Sequence, residues 1–445
     1  MPDVNNLPKT DNQPLKQSSS AHKDEILRPG NIDVIACVIT TSLGVEHDIL
    51  PQVVSIDIFE DLYSPFMSGT MEIHDALNLV NLFPLQGEEN LMLLLHTPTM
   101  DNFNDIFMDC VIYKMTDIQD LNHRTLKYVL HFISKEAVVD LNKKVFRGFK
   151  GKIDDIVQSL YDDELALTTR TKKIRIESAK NETRFISNMW NPIKCFQWVA
   201  DHAINQNDSP SYLFWENAYG FMFASLDWLA SDNPTYGLIW SDHVSFVRSE
   251  SIGSSFRTNA TDYSQILEID RSVSEWDYFA RLRSGMYGSN IVYYDLMTHQ
   301  YVHNSYRANM SPDRQSLGLN KAPSISNNPA FNPWAVTIHS HQYKAVFNDY
   351  DDVSNNKTKM IRTSLLALAE ASKIGITVYG HCGYRTGQVV QIKTVKHTEI
   401  SKDNPDNSST QYDGNYLISA IRHMLTRNSH MCQLELIKDS YIKAA

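Results

Sequence analysis

His339 and His341 are separated by one residue, a spacing that projects two imidazoles from one face of a strand and makes half of a metal site. No Cys, Asp or Glu stands at a spacing that completes it, so exposed or hydrogen-bonded histidines are the expected reading. His381-Cys382 sets a base beside a thiol, but adjacent residues of a strand face opposite ways and cannot meet. Glu60-Asp61 and Glu88-Glu89 offer paired carboxylates of the kind that cleave glycosidic bonds, although charged pairs are also common in turns. Gly380, Gly383 and Gly387 fall between two strand patterns with no helix after them. They suit turns and bulges that need positive φ, not a phosphate cradle. The aromatic run Tyr212-Leu213-Phe214-Trp215, Gly220-Phe221-Met222-Phe223 and Trp228 would stack sugars or bases if exposed, but at strand periodicity beside helices it is expected to be core. Walker A, His-Glu-x-x-His, Gly-x-Ser-x-Gly and Gly-x-Gly-x-x-Gly patterns are all missing. No catalytic, cofactor-binding or metal-binding residue is therefore assigned, and no cofactor is implied.

The 445 residues are 42% apolar and 21% charged, enough for real cores and for about three average domains. The net charge of −11 argues against non-specific nucleic-acid binding, which needs a basic face to displace phosphate counterions. Cys37, Cys110, Cys195, Cys382 and Cys432 are scattered and nowhere spaced Cys-x-x-Cys, so small buried thiols in a reducing compartment are expected. The first ten residues, MPDVNNLPKT, show no apolar signal segment. Apolar runs such as Leu91–Leu95 are far too short for a spanning helix. A soluble protein folded in a cytoplasm is the expectation.

Several elements must position these residues. Residues 1–29, rich in Asn, Gln, Ser and Lys, read as a flexible arm that ends at Pro29-Gly30. Over 30–145 the period is two: Val54, Ile56 and Ile58; Met71 and Ile73; Leu126, Tyr128, Leu130 and Phe132; with Ile106–Met115 as a further β-rich run. Four to six strands there predict a small antiparallel barrel or sandwich. Over 146–245 an α+β module is expected. Ile153, Ile156, Val157 and Leu160 share a helix face, and a second helix starts at Asn191-Pro192 with Phe196, Val199, Ala200 and Ala203 inward. A second barrel is expected from 246–300 and 346–440, interrupted by a loop or inserted arm at 301–345. Its strands are Ile266–Val273, Ile291–Tyr294, Ile376–Tyr379 and Val389–Val395, then a closing hairpin of Tyr416–Leu425 and Met431–Ile437. The spacing predicts one helix around Trp276–Gly285 and another over Lys357–Lys373, with Ile361, Leu365, Leu368 and Ser372 on its stripe and Gly375 as its C-cap. The fold class is thus β-rich α+β, two small antiparallel barrels around an α+β module.

The order of these pieces resembles the central baseplate hub proteins of contractile-tailed phages and the hub region of type VI secretion spikes. The likeness rests on Gly375–Gly380, Arg385–Val390, Tyr416–His423 and Leu434–Ser440 at the end of the chain. Upstream it rests on Ile56–Leu62, Gly69–Asp75, Phe83–Glu89, Tyr212–Asn217 and Gly220–Phe223, and it spans about residues 30–440. The arm before Pro29 and the stretch 305–335 have no counterpart in it. The resemblance implies a non-enzymatic virion protein assembled in the host cytoplasm: a homotrimer whose two tube-like barrels per chain imitate a sixfold ring. Its implied partners are a separate central spike, the tail-tube or tube-initiator proteins, the tape-measure protein and the inner baseplate wedge. DNA would pass through without specific binding, and no membrane is entered. A tube initiator, a cell-wall hydrolase and a carbohydrate-binding module are the competing readings.

Overall fold

In the computed structural model of the chain, residues 29–42, 44–77, 79–82, 87–98, 105–122, 125–167, 172–241, 263–270, 279, 284–286, 288–295, 299–307, 337–342, 352–370, 372–395, 413–427 and 429–439 are described. The two-residue alternation of the first region becomes seven strands: β1 (Asp33–Thr40), β2 (Glu46–Asp48), β3 (Val53–Asp61), β4 (Ser68–Asp75), β5 (Asn90–His96), β6 (Ile106–Asn122) and β7 (Thr125–Ser134), with a one-turn helix α1 (Leu79–Leu82) between β4 and β5. Ile56, Ile58, Met71, Ile73, Leu91, Leu93, Tyr128, Leu130 and Phe132 turn inward into one core. Each fully buried side chain of this kind is worth roughly 1.5–3 kcal/mol. β4 can cross this core closely because Gly69 stands where any Cβ would lie 2.3 Å from the Phe132 ring.

The middle region comprises α2 (Lys135–Asn142), β8 (Gly148–Lys152), α3 (Ile153–Leu160), β9 (Ile174–Ile176), β10 (Glu182–Ile186), α4 (Pro192–His202), β11 (Tyr212–Asn217), β12 (Gly220–Ser225), α5 (Leu226–Ala230) and β13 (Tyr236–Ser241). The inward face of α3 is Ile153, Ile156, Val157 and Leu160, as its 3.6-residue period requires. α4 begins at the predicted Asn191-Pro192 and buries Phe196, Val199 and Ala200. Its first turn is capped from outside: Asp140 of α2 accepts the Ile193 amide at 2.7 Å. The aromatic run forms the antiparallel pair β11–β12, with Phe214 stacked on Phe196 at 4.2 Å between ring centres.

The last region contains β14 (Ile266–Asp270), β15 (Gly288–Asp295), β16 (Gln300–Arg307), β17 (Thr337–Gln342), α6 (Asp352–Ala369), β18 (Ser372–Tyr379), β19 (Val389–Val395), β20 (Gly414–Thr426) and β21 (Ser429–Lys438). β15, β16 and β17 form a three-stranded sheet of their own. β14, β18, β21 and β20 build a second core of Ile374, Ile376, Val378, Ile418, Ile421, Leu434 and Leu436. The predicted hairpin is present, with Thr426 opposite Ser429 at its turn.

Two expectations are corrected. Among the described residues no closed barrel is present. The strands of both ends join one 13-stranded sheet in the order β14-β18-β21-β20-β3-β4-β7-β6-β5-β1-β2, with β19 paired to β20 and β13 paired to β19. The free edge that β3 would need for closure is instead spent on β20, from Ala420 opposite Asp61 to Thr426 opposite Ser55. The fold is β-rich α+β around that sheet. The second correction concerns α6, which stops at Ala369 and is not capped by Gly375. Ile374, Ile376 and Val378 alternate inward, and pairing with β21 takes Lys373 and Gly375 into β18. The inward face of α6 is Met360, Ser364 and Leu368: the predicted Leu368 is inward, while Met360 and Ser364 stand there in place of the half-buried Ile361 and Leu365.

Most of the helix predicted around Trp276 and most of the 301–345 segment lie outside the described residues, as does the arm up to Arg28. No helix among the described residues is long and apolar enough to cross a membrane.

Candidate functional site: the seam between the two β-modules

The pairing of β3 with β20 joins the two ends of the chain, and two buried polar ties accompany it. Glu60 has its turn in the alternation of β3 on the inward face, beside Ile56 and Ile58. Its Oε1 accepts the Ala218 amide at 3.1 Å and its Oε2 accepts the Thr386 amide at 3.2 Å. One carboxylate thereby ties the first β-module to the middle module and to the β18–β19 connection. Burial pushes its pKa up to about 7, although the accepted hydrogen bonds and nearby Arg385 pull the other way.

A second tie lies on the other side of β4. Lys172 reaches Glu136 at 2.7 Å and Glu216 at 2.5 Å, and Glu216 also accepts the Met67 amide at 3.0 Å. Burial opposes the Lys172 charge, but the two carboxylates overcome it and hold its pKa above the usual lysine value. Both carboxylates are almost wholly enclosed, so the triad is a desolvated ion cluster spanning two modules. Below the seam, Leu62, Trp215, Leu229, Val389, Leu417 and Ile437 pack into a shared apolar cluster drawn from all three regions. Above it, an open groove of about 390 Å³ runs across the sheet, lined by residues that include Phe59, Asp270, Ile421, Arg422 and Glu435.

The residues singled out from sequence fall as follows. Cys382 does not lie in a strand: it sits in the turn after β18, where its amide donates to Thr97 Oγ1 at 2.9 Å and its side chain joins the first core. His381 stacks on Tyr384 at 3.9 Å and accepts the Gly383 amide through Nδ1. Burial raises the Cys382 thiol to about 11 and lowers His381 to about 3, which suits neither a nucleophile nor its base. Glu89 accepts the Gly87 amide at 3.0 Å as a turn residue, while Asp61 caps the turn at Tyr63. Neither acidic pair has two free carboxylates facing each other. Of the three glycines only Gly387 has positive φ; Gly380 is required because a Cβ would lie 2.3 Å from the His430 ring. The aromatic run is core, with every residue of β11 buried, so it offers no stacking platform. All five cysteines are free and buried. The backbone of His339 and His341 lies in β17, and their side chains are outside the described residues.

Sequence reasoning missed one constellation. His423 of β20 stands opposite Cys432 of β21, and His430 lies two residues before Cys432 on the same face. His423 Nδ1 is 3.0 Å from His430 Nε2, and Cys432 Sγ is 3.2 and 3.4 Å from those two atoms. All three side chains are enclosed, and the distal nitrogens, His423 Nε2 and His430 Nδ1, make no hydrogen bond among the described residues. The signal available was the His430-x-Cys432 spacing read together with the register of the hairpin.

Comparison with known proteins agrees with this architecture. No family model matches the chain. Over 411 residues it is 20% identical to a protein of Vibrio phage KVP40 described as "Probable baseplate hub protein gp334", covering 88% of this chain and 91% of that one. The tail protein from Neisseria meningitidis MC58 superposes with a TM-score of 0.53 at 14% identity, covering 91% of this chain and 96% of its own. The 43 kDa tail protein of prophage MuSo2 from Shewanella oneidensis gives 0.53 at 8% identity, covering 92% and 99%. The resemblance legible in the sequence is therefore found again in both comparisons: the chain is similar to a phage baseplate hub protein along nearly its whole length and has the fold of phage tail proteins.

Proposed function

We propose that this protein is the central hub of a contractile phage-type tail baseplate, a structural component and not an enzyme. Three copies encircle a channel, each contributing its first and last β-modules, so that three chains present six similar surfaces to the tail tube and threefold symmetry to a central spike. The tail-tube or tube-initiator proteins, the tape-measure protein and the inner baseplate wedge are the further partners of this reading.

The observation that carries it is the β3–β20 pairing. It fixes two sheet-built modules side by side in one rigid unit, which is what a threefold-to-sixfold adaptor needs from each chain. The enclosed ties at Glu60 and Lys172 restrain the modules from hinging. The net charge of −11 per chain, repeated three times around a channel, favours passage of DNA over retention. The β6–β7 ribbon ends in exposed Ile118 and Leu121, apolar positions suited to a neighbouring protein.

Light scattering on the purified chain, alone and with its spike and tube partners, tests the proposal. A trimer that caps a sixfold tube supports it. A chain that stays monomeric with both partners present, or that closes as a hexamer, contradicts it.

A further inference from the structure

Three potential ligand atoms converge near the turn of the β20–β21 hairpin: His423 Nδ1, His430 Nε2 and Cys432 Sγ, with pairwise separations of 3.0, 3.2 and 3.4 Å on enclosed side chains. A neutral hydrogen-bonded arrangement exists, with the His423 Nδ1–H donating to the sulfur and the thiol donating to His430 Nε2. A cation is the alternative that takes a lone pair from all three atoms at once.

The spacing agrees. Tetrahedral zinc with ordinary Zn–N and Zn–S bonds sets its ligand atoms about 3.3 Å apart for N···N and about 3.5 Å for N···S. The observed 3.0, 3.2 and 3.4 Å need open by only a few tenths of an ångström. The platform is rigid, because the ligands sit on two paired strands within four residues of the hairpin turn. His430 is also held from outside: its amide donates to Gly30 O at 2.6 Å and its carbonyl accepts the Gly380 amide at 2.9 Å. Gly380 leaves the space that the ring occupies. Cys382, the other thiol of this end of the chain, is committed to the first core and gives its Sγ proton to Leu95 O at 3.6 Å.

We propose that His423 Nδ1, His430 Nε2 and Cys432 Sγ bind one soft d10 metal ion, with zinc the expected occupant and a fourth position left to a water or a neighbouring group. Binding replaces the Cys432 S–H bond with a metal–sulfur bond and releases that proton to solvent; both imidazoles remain neutral, and no electron is transferred. The ion would pin the β20–β21 hairpin to the Gly30 and Gly380 segments at one end of the seam.

The whole chain, unfolded in chelator and refolded with cobalt(II), is expected to take up one equivalent and to show a thiolate-to-cobalt charge-transfer band that one equivalent of zinc abolishes. Cys432→Ser should lose the band completely, and Cys382→Ser should retain it. X-ray absorption on zinc-loaded wild type should give one sulfur and two imidazoles, and this arm stands even where the Cys432→Ser chain does not refold. A parallel titration with copper(I) under reducing conditions shows which soft ion binds more tightly. Absence of stoichiometric binding by cobalt, zinc and copper(I), or a band that persists in Cys432→Ser, would overturn the assignment.

Discussion

Arg422 of β20 forks onto Asp57 of β3 across the seam, with Nε 3.3 Å from Oδ1 and Nη2 3.0 Å from Oδ2. The pair marks where the two ends of the chain meet, yet it does not hold them together. The Arg422 side chain is 43% exposed, and an ion pair in that setting contributes little. Arg422→Ala should cost no more than about 1 kcal/mol in urea unfolding. Ile418→Asp, which places a charge in the apolar core four residues earlier on the same strand, should cost more than about 4 kcal/mol or abolish folding and ring formation.

Lys172 carries a different weight because its partners are enclosed. Lys172→Met leaves Glu136 and Glu216 buried without their cation, at a cost of about 3–5 kcal/mol. Removing one of the two stranded carboxylates with Glu136→Gln in the same chain should recover part of that loss. Chemical denaturation of the two variants measures both effects.

Glu60 sets a pH dependence. Its folded pKa of about 7 lies above the ordinary carboxylate value, so between about pH 4.5 and 7 the folded chain holds a proton that the unfolded chain has lost. Its contribution to stability is therefore full below that window and falls as pH rises through it. Glu60→Gln should remove this slope, as measured by unfolding at a series of pH values.

Two glycine substitutions separate close approach from open backbone. Gly380→Ala drives a methyl into the His430 ring and should destabilise by about 1–3 kcal/mol. Gly237→Ala meets nothing within 4 Å and should leave the melting temperature nearly unchanged.

α3, the start of α4, the hairpin and the aromatic core were legible in the sequence because each is a local period. The face Ile153, Ile156, Val157 and Leu160 is one turn-by-turn stripe, and Tyr416–Leu425 and Met431–Ile437 flank a short polar turn. The seam was not legible. Asp57 and Arg422 are 365 residues apart, and nothing in either strand's alternation says which free edge it will take. For the same reason two closed barrels were expected where one sheet runs through both modules. α6 was extended to Lys373 because Ser372 continues the helical stripe of Ile361, Leu365 and Leu368, and only the pairing of Ser372 and Lys373 with Lys438 and Ile437 assigns them to β18. His339-x-His341 drew attention as a metal half-site, while the same spacing at His430-x-Cys432 gained meaning only when the hairpin placed His423 opposite.

Exposed Ile118 and Leu121 on the β6–β7 ribbon contribute nothing to either core. Replacing both with Ser should leave the melting temperature of the chain within about 1 °C, since surface changes of this kind are worth less than about 0.5 kcal/mol. The same variant should weaken assembly with the tube or with neighbouring copies, read by sedimentation of mixed components.

The most direct measurement is electron microscopy of the assembled protein viewed along its channel, with its mass fixed in solution beforehand. Three chains with their first and last β-modules alternating at one height around a common pore are the predicted result. A ring of six chains, or β-modules that sit at different heights without enclosing a pore, would contradict the account.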